Sequence, residues 1–317
     1  MRAVGRRTLL AVGASVLLSR ETLAQDALRI VVPFAAGSGS DNTMRVFAEA
    51  LRQASGSNVI VDNKAGGGTT IGSQEVSRAK PDGTTVLYTT GGHTTNAVLM
   101  RNLPYDPVEG FTAITMLTRS PGFGLIVAGS SRFETLEQFI AAARAEPAKL
   151  TYGSSGIGNT THVVGALFCR SAGVELTHVP YKATPINDAM AGTIDSFFVS
   201  PSLIMQQLQT GRLRALGVSS AERMPQLPDT PTFAEHGIEA HIPAWSGFWG
   251  PPKMAPPLVR SLYESFGKAA RTPSFETFTR DGGGELVLMP PDEFARYVIS
   301  EIERYRQLLP ALGIQMD

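Results

Sequence analysis

Residues 29–41 read RIVVPFAAGSGSD. An apolar run breaks into Pro, Ala, Gly and Ser, and a helix-patterned stretch, NTMRVFAEALRQ, follows. This order of strand, small-residue loop and helix start has two readings. One is a tight turn between a strand and a helix, with Asp41 as the N-cap. The other is an anion cradle. Small residues let a ligand approach the backbone, and a helix N-terminus supplies free N–H groups and partial positive charge. The loop holds no Lys or Arg, so an anion there would rest on neutral donors.

The same rhythm recurs along the chain. NVIVDNK, TTVLYTT, FGLIVAG, LTYGS, LTHVPYK, TIDSFFVS and LRALGVSS read as strands. GGGTTIGSQEVSRAK, SRFETLEQFIAAARAEP, VVGALFCRSAG, PINDAMAG and PSLIMQQLQTG read as helices, the second capped near Thr135 and stopped by Pro147. Strands that alternate with helices predict an α/β chain with right-handed crossovers and mostly parallel sheets. Ligands in such sheets bind outside the carboxyl ends of the strands, where this chain places loops of Gly, Ser, Thr and Asn. The pattern divides into two lobes. The first takes residues 26–127 plus 241–317 and the second takes 128–240. The chain leaves the first lobe after FGLIV and returns through the extended segment HIPAWSGFWG. Two terminal helices, PLVRSLYESFGKAART and PDEFARYVISEIERYRQLLPALG, carry apolar residues at helical spacing and read as packing elements.

Composition narrows the function. The 317 residues are 43% hydrophobic, enough for two cores. One cysteine, Cys169, excludes an internal disulfide framework. Five scattered histidines without a ligand-spaced partner argue against a metal site. Residues 1–24 run from arginines to a short apolar stretch to TLA, the order of an export signal cut after Ala24. Arg6-Arg7 before TLL suits either a twin-arginine signal or an ordinary secretory one. That segment holds four arginines and one glutamate. Of 28 basic residues 24 remain, of 28 acidic residues 27 remain, and the net charge is −3. No basic stripe is left for nucleic acid.

Catalytic signatures are missing. GSGSDN and GGGTTIG do not fit the dinucleotide-binding spacing, and no phosphate-loop motif occurs. YGSSGIG fails as a nucleophile elbow, because Ile157 stands where glycine is needed. A hydrolase using Ser155 and His162 is the enzymatic alternative, but no acid is evident to orient that histidine. His93 and His162 read first as polar residues at helix starts beside a crevice.

Eight blocks in order then carry a resemblance: IVVPFAAGSGSD, VDNKAGGGTTIG, KPDGTTVLYTTGGHTTN, LPYDPVEGFTAI, LTYGSSGIGNTTH, HVPYK, GRLRALGVSSAERMPQLPDTPTFAEHG and AWSGFWGPPKMAPP. Together, over residues 26 to 317, the chain resembles the extracytoplasmic solute-binding receptors of the tripartite tricarboxylate transporter system, the Bug or TctC-like family. The resemblance implies a two-lobed type II periplasmic binding protein fold with the ligand cleft between lobes. It implies a monomeric periplasmic receptor for a small carboxylate, without catalysis, cofactor or metal. Its partners would be the membrane permease subunits of such a transporter, or a sensor kinase that reads the closed form.

The family's ligand loops map onto Phe34, Ala36, Ser38, Gly39, Ser40 and Asp41, and onto Ser154, Ser155, Asn159, Thr160 and Thr161. Gly91, His93 and Thr94 end a third strand nearby. Tyr181, Val199 and Ser200 complete the candidate set. Three departures stand out. Ala36 replaces the usual Pro and Ser38 the usual Gly. The segment YKATPINDAMAG is about two residues short. Val199 stands where many members carry a polar or acidic residue. Without an acceptor there for an ammonium group, an unsubstituted or aromatic carboxylic acid is expected. Phe34, Tyr181, Trp245 and Phe248 are candidates to flank it, although Phe248 and Trp249 read more readily as core.

Overall fold

The apolar head of the opening stretch is a buried strand, β1 (Leu28–Val32), and the loop after it feeds α1 (Gly39–Ser55). The computed structural model describes residues 27–314, so the export signal and its cut site lie outside the described residues. The chain continues through β2 (Val59–Asn63), α2 (Thr70–Ser77), β3 (Thr85–Thr90), α3 (Gly92–Leu99) and β4 (Thr112–Ser120). Next come β5 (Gly124–Ala128), α4 (Leu136–Ala145), β6 (Thr151–Ser154), α5 (Thr160–Ala172), β7 (Thr177–Pro180), α6 (Ile186–Met190), β8 (Ser196–Val199), α7 (Met205–Gln209) and β9 (Leu213–Val218). The last part is β10 (Ala244–Gly250), α8 (Pro256–Ala270), α9 (Pro273–Asp281), β11 (Glu285–Met289) and α10 (Pro291–Ala311).

Local chemistry sets the helix limits. Ser38, not Asp41, caps α1: its Oγ accepts the Asp41 N–H at 3.2 Å. Gly56 closes the same helix at φ 70°, a left-handed turn that glycine adopts without strain. Thr135 caps α4, accepting from the Gln138 N–H at 3.3 Å, and the helix stops before Pro147.

Two sheets form. The six-stranded sheet has the order β11-β4-β10-β3-β1-β2, and the five-stranded sheet β7-β6-β8-β5-β9. The expectation of mostly parallel sheets is corrected: both are mixed. β1, β2 and β3 are parallel, as are β6, β7 and β8, but β4, β5, β9, β10 and β11 pair antiparallel with their neighbours. The reason lies in the crossings. β4 leads into β5 with only residues 121–123 between them, and because β5 belongs to the five-stranded sheet the chain leaves the first lobe before GLIV, not after it as the sequence suggested; β10 brings it back. A strand that enters a lobe from the cleft must run away from it, against neighbours whose carboxyl ends face it.

The first crossing is fastened to the end of β9, and its strand β4 to the returning strand β10. Phe123 donates its N–H to Ser219 Oγ at 2.8 Å, and Ser219 returns its N–H to the Phe123 carbonyl at 2.7 Å. Thr118 and Ser246 share a hydroxyl hydrogen bond at 2.7 Å. A side chain at Gly122 would meet Ser220 N at 2.9 Å, so the absence of a Cβ lets the two segments lie side by side.

Each sheet has its own core. In the first lobe Phe47 of α1 is fully buried among Phe248, Phe266 and Phe275, with ring centroids 5.0, 5.6 and 5.2 Å away. In the second, Phe168, Phe198 and Phe233 pack together with Leu125, Leu136 and Phe139. The helix α10 serves both: Phe294, Val298 and Ile302 belong to a first-lobe cluster, whereas Tyr305 and Leu309 join the second-lobe one.

Phe47 ties α1 to β10, α8 and α9. Phe47→Ala is expected to lower unfolding free energy by about 3–5 kcal/mol, as for other buried aromatics. A urea denaturation curve reads this directly, and an unchanged midpoint would show that the cluster contributes little.

Candidate functional site

The carboxyl ends of β1, β3 and β6 converge on a cavity of about 150 Å³ between the lobes. That is the size that admits a benzene-sized guest. From the first lobe come Phe34, Ser38, Gly39, Ser40 and Gly91, and from the second Ser155, Asn159, Thr160, Thr161, Val199 and Ser200. These eleven candidate residues are therefore brought together by the fold.

Two helix N-termini meet at this cavity. In the first turn of a helix the N–H groups have no intrahelical acceptor. Ser38 Oγ takes the Asp41 N–H and the Ser38 carbonyl takes that of Asn42, so Gly39 and Ser40 present theirs at the cavity edge. Across the cleft Asn159 caps α5, its Oδ1 accepting the Thr161 N–H at 3.1 Å. Thr160 and Thr161 follow on the cavity wall. Asp41 does not oppose an anion here. Burial alone would raise its carboxyl, but Arg45 (3.0 Å), the Gly37 N–H (2.8 Å) and Asn63 outweigh it and hold the group below the usual carboxylate range.

The other candidates stand elsewhere. Ala36 and Asp41 face a wider groove beside the cavity. His93 is fully buried, with Nε2 2.7 Å from the Pro107 carbonyl and its ring stacked on Trp249 and Tyr105. GGHTTN is the first turn of α3, which turns His93 into the core. Thr94 is also buried and donates its hydroxyl to the Gly91 carbonyl. Ser154 is buried against His178 Nε2 at 2.7 Å. Tyr181 packs on the apolar cluster of β8 and α6. Of the four flanking aromatics, Phe34 and Trp245 line the cavity, and Phe248 is core.

Several lining residues escaped the sequence reading. Tyr88, Phe123, Leu203, Pro243 and Phe278 give the cavity apolar walls. Arg119 and Lys182 add two basic groups, although the three small-residue loops contain none. Arg119 lies at the end of β4, in TRSPG, a stretch with no pattern of its own.

Ser155 and His162 do not form a nucleophile–base pair. Ser155 Oγ is hydrogen-bonded to Thr184 Oγ1 at 3.5 Å, and His162 Nδ1 accepts the Gly158 N–H at 3.0 Å. His162 instead stacks on His178, ring centroids 3.9 Å apart, and His178 stacks on Tyr152. Burial lowers the pKa of His162 to about 4, and burial with the neighbouring His162 lowers that of His178 to about 3. Among the described residues no helix is long and apolar enough to cross a membrane, and no His, Cys, Asp and Glu cluster is placed to hold a metal.

This pair makes the second-lobe loop acid-sensitive. Both rings are neutral when folded, whereas unfolded histidines titrate near pH 6.5. Between about pH 6.5 and 4 the unfolded chain binds more protons, so stability rises with pH there. Buried His93, lowered to about 4, acts in the same direction. The melting temperature is expected to fall steadily from pH 7 to pH 5 and less steeply in His162→Asn/His178→Gln. A flat profile in the wild type would refute this.

The family described as "Tripartite tricarboxylate transporter family receptor" matches residues 43–314. A "UPF0065 protein in tcbD-tcbE intergenic region" of Pseudomonas sp. strain P51 is 33% identical over 96% of this chain and 94% of its own length. Among solved structures, the periplasmic binding protein BugD superposes with a TM-score of 0.87 at 29% identity, covering 92% of this chain and 99% of that one. An R. palustris protein solved with adipate superposes with a TM-score of 0.86 at 29% identity, covering 91% and 98%. The chain belongs to the tripartite tricarboxylate transporter receptor family, and its fold is the two-lobed fold of the periplasmic binding proteins.

Proposed function

We propose that the protein is a periplasmic receptor that closes its two lobes on a small organic carboxylate and presents it to the membrane permease subunits of a tripartite tricarboxylate transporter. One observation carries the reading: the N-termini of α1 and α5, one from each lobe, face a single cavity between the lobes. α1 brings the N–H groups of Gly39 and Ser40, α5 that of Thr160, and each helix end about half a positive charge. Hydroxyls of Ser38, Ser40, Ser155 and Thr160 surround them and can donate further hydrogen bonds. Donors fixed on helix ends lose little entropy on binding.

The rest of the cavity supports the choice of ligand. Phe34, Phe123, Val199 and Leu203 form an apolar body for the ligand, and Val199 offers nothing to an ammonium group. An unsubstituted or aromatic carboxylic acid fits these walls better than an amino acid. The similar structure solved with adipate supports the carboxylate class. Export rests on the pattern of residues 1–24 and on the periplasmic relatives. A thermal-shift screen against mono-, di- and aromatic carboxylates tests the reading. A ligand at 100 times its dissociation constant stabilises by about 2.7 kcal/mol. Shifts with amino acids or sugars but with no carboxylate would overturn it.

Closure itself is testable at Gly39. A side chain there would lie 2.7 to 3.0 Å from Leu203 of the opposite lobe. Gly39→Val is therefore expected to weaken carboxylate binding by more than tenfold because the lobes cannot meet, with the fold intact. Adding Leu203→Ala removes the obstruction and is expected to restore part of the affinity. If titration calorimetry shows Gly39→Val binding as tightly as wild type, α1 does not take part in a closing contact.

A further inference from the structure

We propose that Arg119 and Trp245 form a second acceptor-binding subsite on the cavity wall, which holds the far carboxylate of a dicarboxylic acid. The proposal deepens, and rests on, the carboxylate-receptor reading above. The two residues are register partners on adjacent antiparallel strands, β4 and β10. Side chains at directly opposite positions share one face of the sheet, with Cβ atoms roughly 4.5–5.5 Å apart. Both residues line the cavity.

Trp245 is the firmer half. It is 4% exposed, and its indole Nε1–H is buried without an acceptor. Phe294 and Tyr297 hold the ring edge-on, with centroids 5.5 and 6.1 Å away. The indole nitrogen therefore has a fixed direction. It sits where the lobes meet: a side chain at Gly91 would come within 3.5 Å of it and within 2.8 Å of Thr160 Oγ1. Glycine at 91 leaves that edge of the indole open to the cavity.

Arg119 supplies charge. Its Nε is also buried without an acceptor. Among the described residues no carboxylate lies within ion-pairing distance of it. The acid that feels its charge, Glu301 of α10, is paired with Arg304 at 3.0 Å. The Tyr297 hydroxyl, whose acidity Arg119 also affects, is a third buried group without a partner. A guanidinium is permanently charged and matches a carboxylate with two parallel N–H bonds. Lys182, the other basic residue at the cavity, is exposed, whereas Arg119 is half-buried with its Nε out of solvent.

Titration calorimetry with matched probes tests the subsite. Dicarboxylates from propanedioate to octanedioate are each compared with the monocarboxylate of equal chain length, and terephthalate with benzoate. The wild type is expected to bind at least one dicarboxylate tenfold or more tightly than its partner, the scale of a hydrogen bond to a charged group. Arg119→Gln and Trp245→Phe are expected to weaken the dicarboxylate tenfold or more beyond any loss for its monocarboxylate partner and so remove most of that preference; far-UV circular dichroism and the melting temperature show that the variants fold. Arg119→Lys, which keeps the charge but loses the fork, should recover part of it. If every pair binds wild type equally, or if the variants weaken both members alike, the subsite is wrong and the carboxylate receptor stands. If no acid in the panel binds wild type, the receptor reading falls and the subsite falls with it.

Discussion

The chain has to cross its own cleft, and most of the architecture follows from that constraint. Each crossing strand arrives at the cleft edge of the sheet it joins and must run away from it. β5 and β10 are therefore antiparallel to strands whose carboxyl ends point at the ligand cavity. The two crossings lie against each other: the end of β4 pairs with the start of β10, Ser120 opposite Ala244, and the Thr118 and Ser246 hydroxyls are hydrogen-bonded. A pair of extended segments held this way gives a hinge with few degrees of freedom, so the lobes meet in one register.

That register decides what can stand at the seam. Gly39 faces Leu203, and Gly91 faces Thr160, at distances that admit no side chain. Small residues in the strand-end loops thus serve two purposes, bringing helix N-termini close to an anion and letting the lobes touch. The electrostatics fit the same economy. Asp41, the acid in the first turn of α1, is neutralised by Arg45. The field at the cavity comes from backbone dipoles, and cations enter from the walls.

Much of this was legible in the sequence. Apolar runs that end in Gly, Ser and Thr marked β1, β3 and β6, and the loops after β1 and β6 do line the cavity. Elements without a strong local signal were not legible. GGHTTN reads as a strand end with His93 at a helix start beside the crevice, yet α3 opens at Gly92 and turns His93 inward, with the Thr94 and Thr95 hydroxyls donating to the carbonyls of Gly91 and Gly92. α9 and β11 are short, and β11 is fixed by pairing with β4, a contact distant in sequence. Arg119 was missed for the same reason: its place at the cavity depends on pairing with β10, which no local pattern encodes. Ser154 and His93 were misplaced because a polar residue at a strand end can point either way, and here packing turned both inward.

The helix α10 is a strut bolted to both bodies. Its first half packs in the core of one lobe and its last turns in the core of the other. Arg170 of the second lobe also grips its end, donating to the Ala311 carbonyl at 2.9 Å. A stiff rod anchored at both ends cannot follow a wide swing. Either the lobes travel only a small arc, or the rod lets go at one end, and Pro310 already breaks the backbone hydrogen-bond ladder in the final turn. The apolar contacts of Tyr305 and Leu309 then become part of the work of opening. The resting aperture of the receptor is thus governed from the rear of the molecule, far from any atom that touches a ligand.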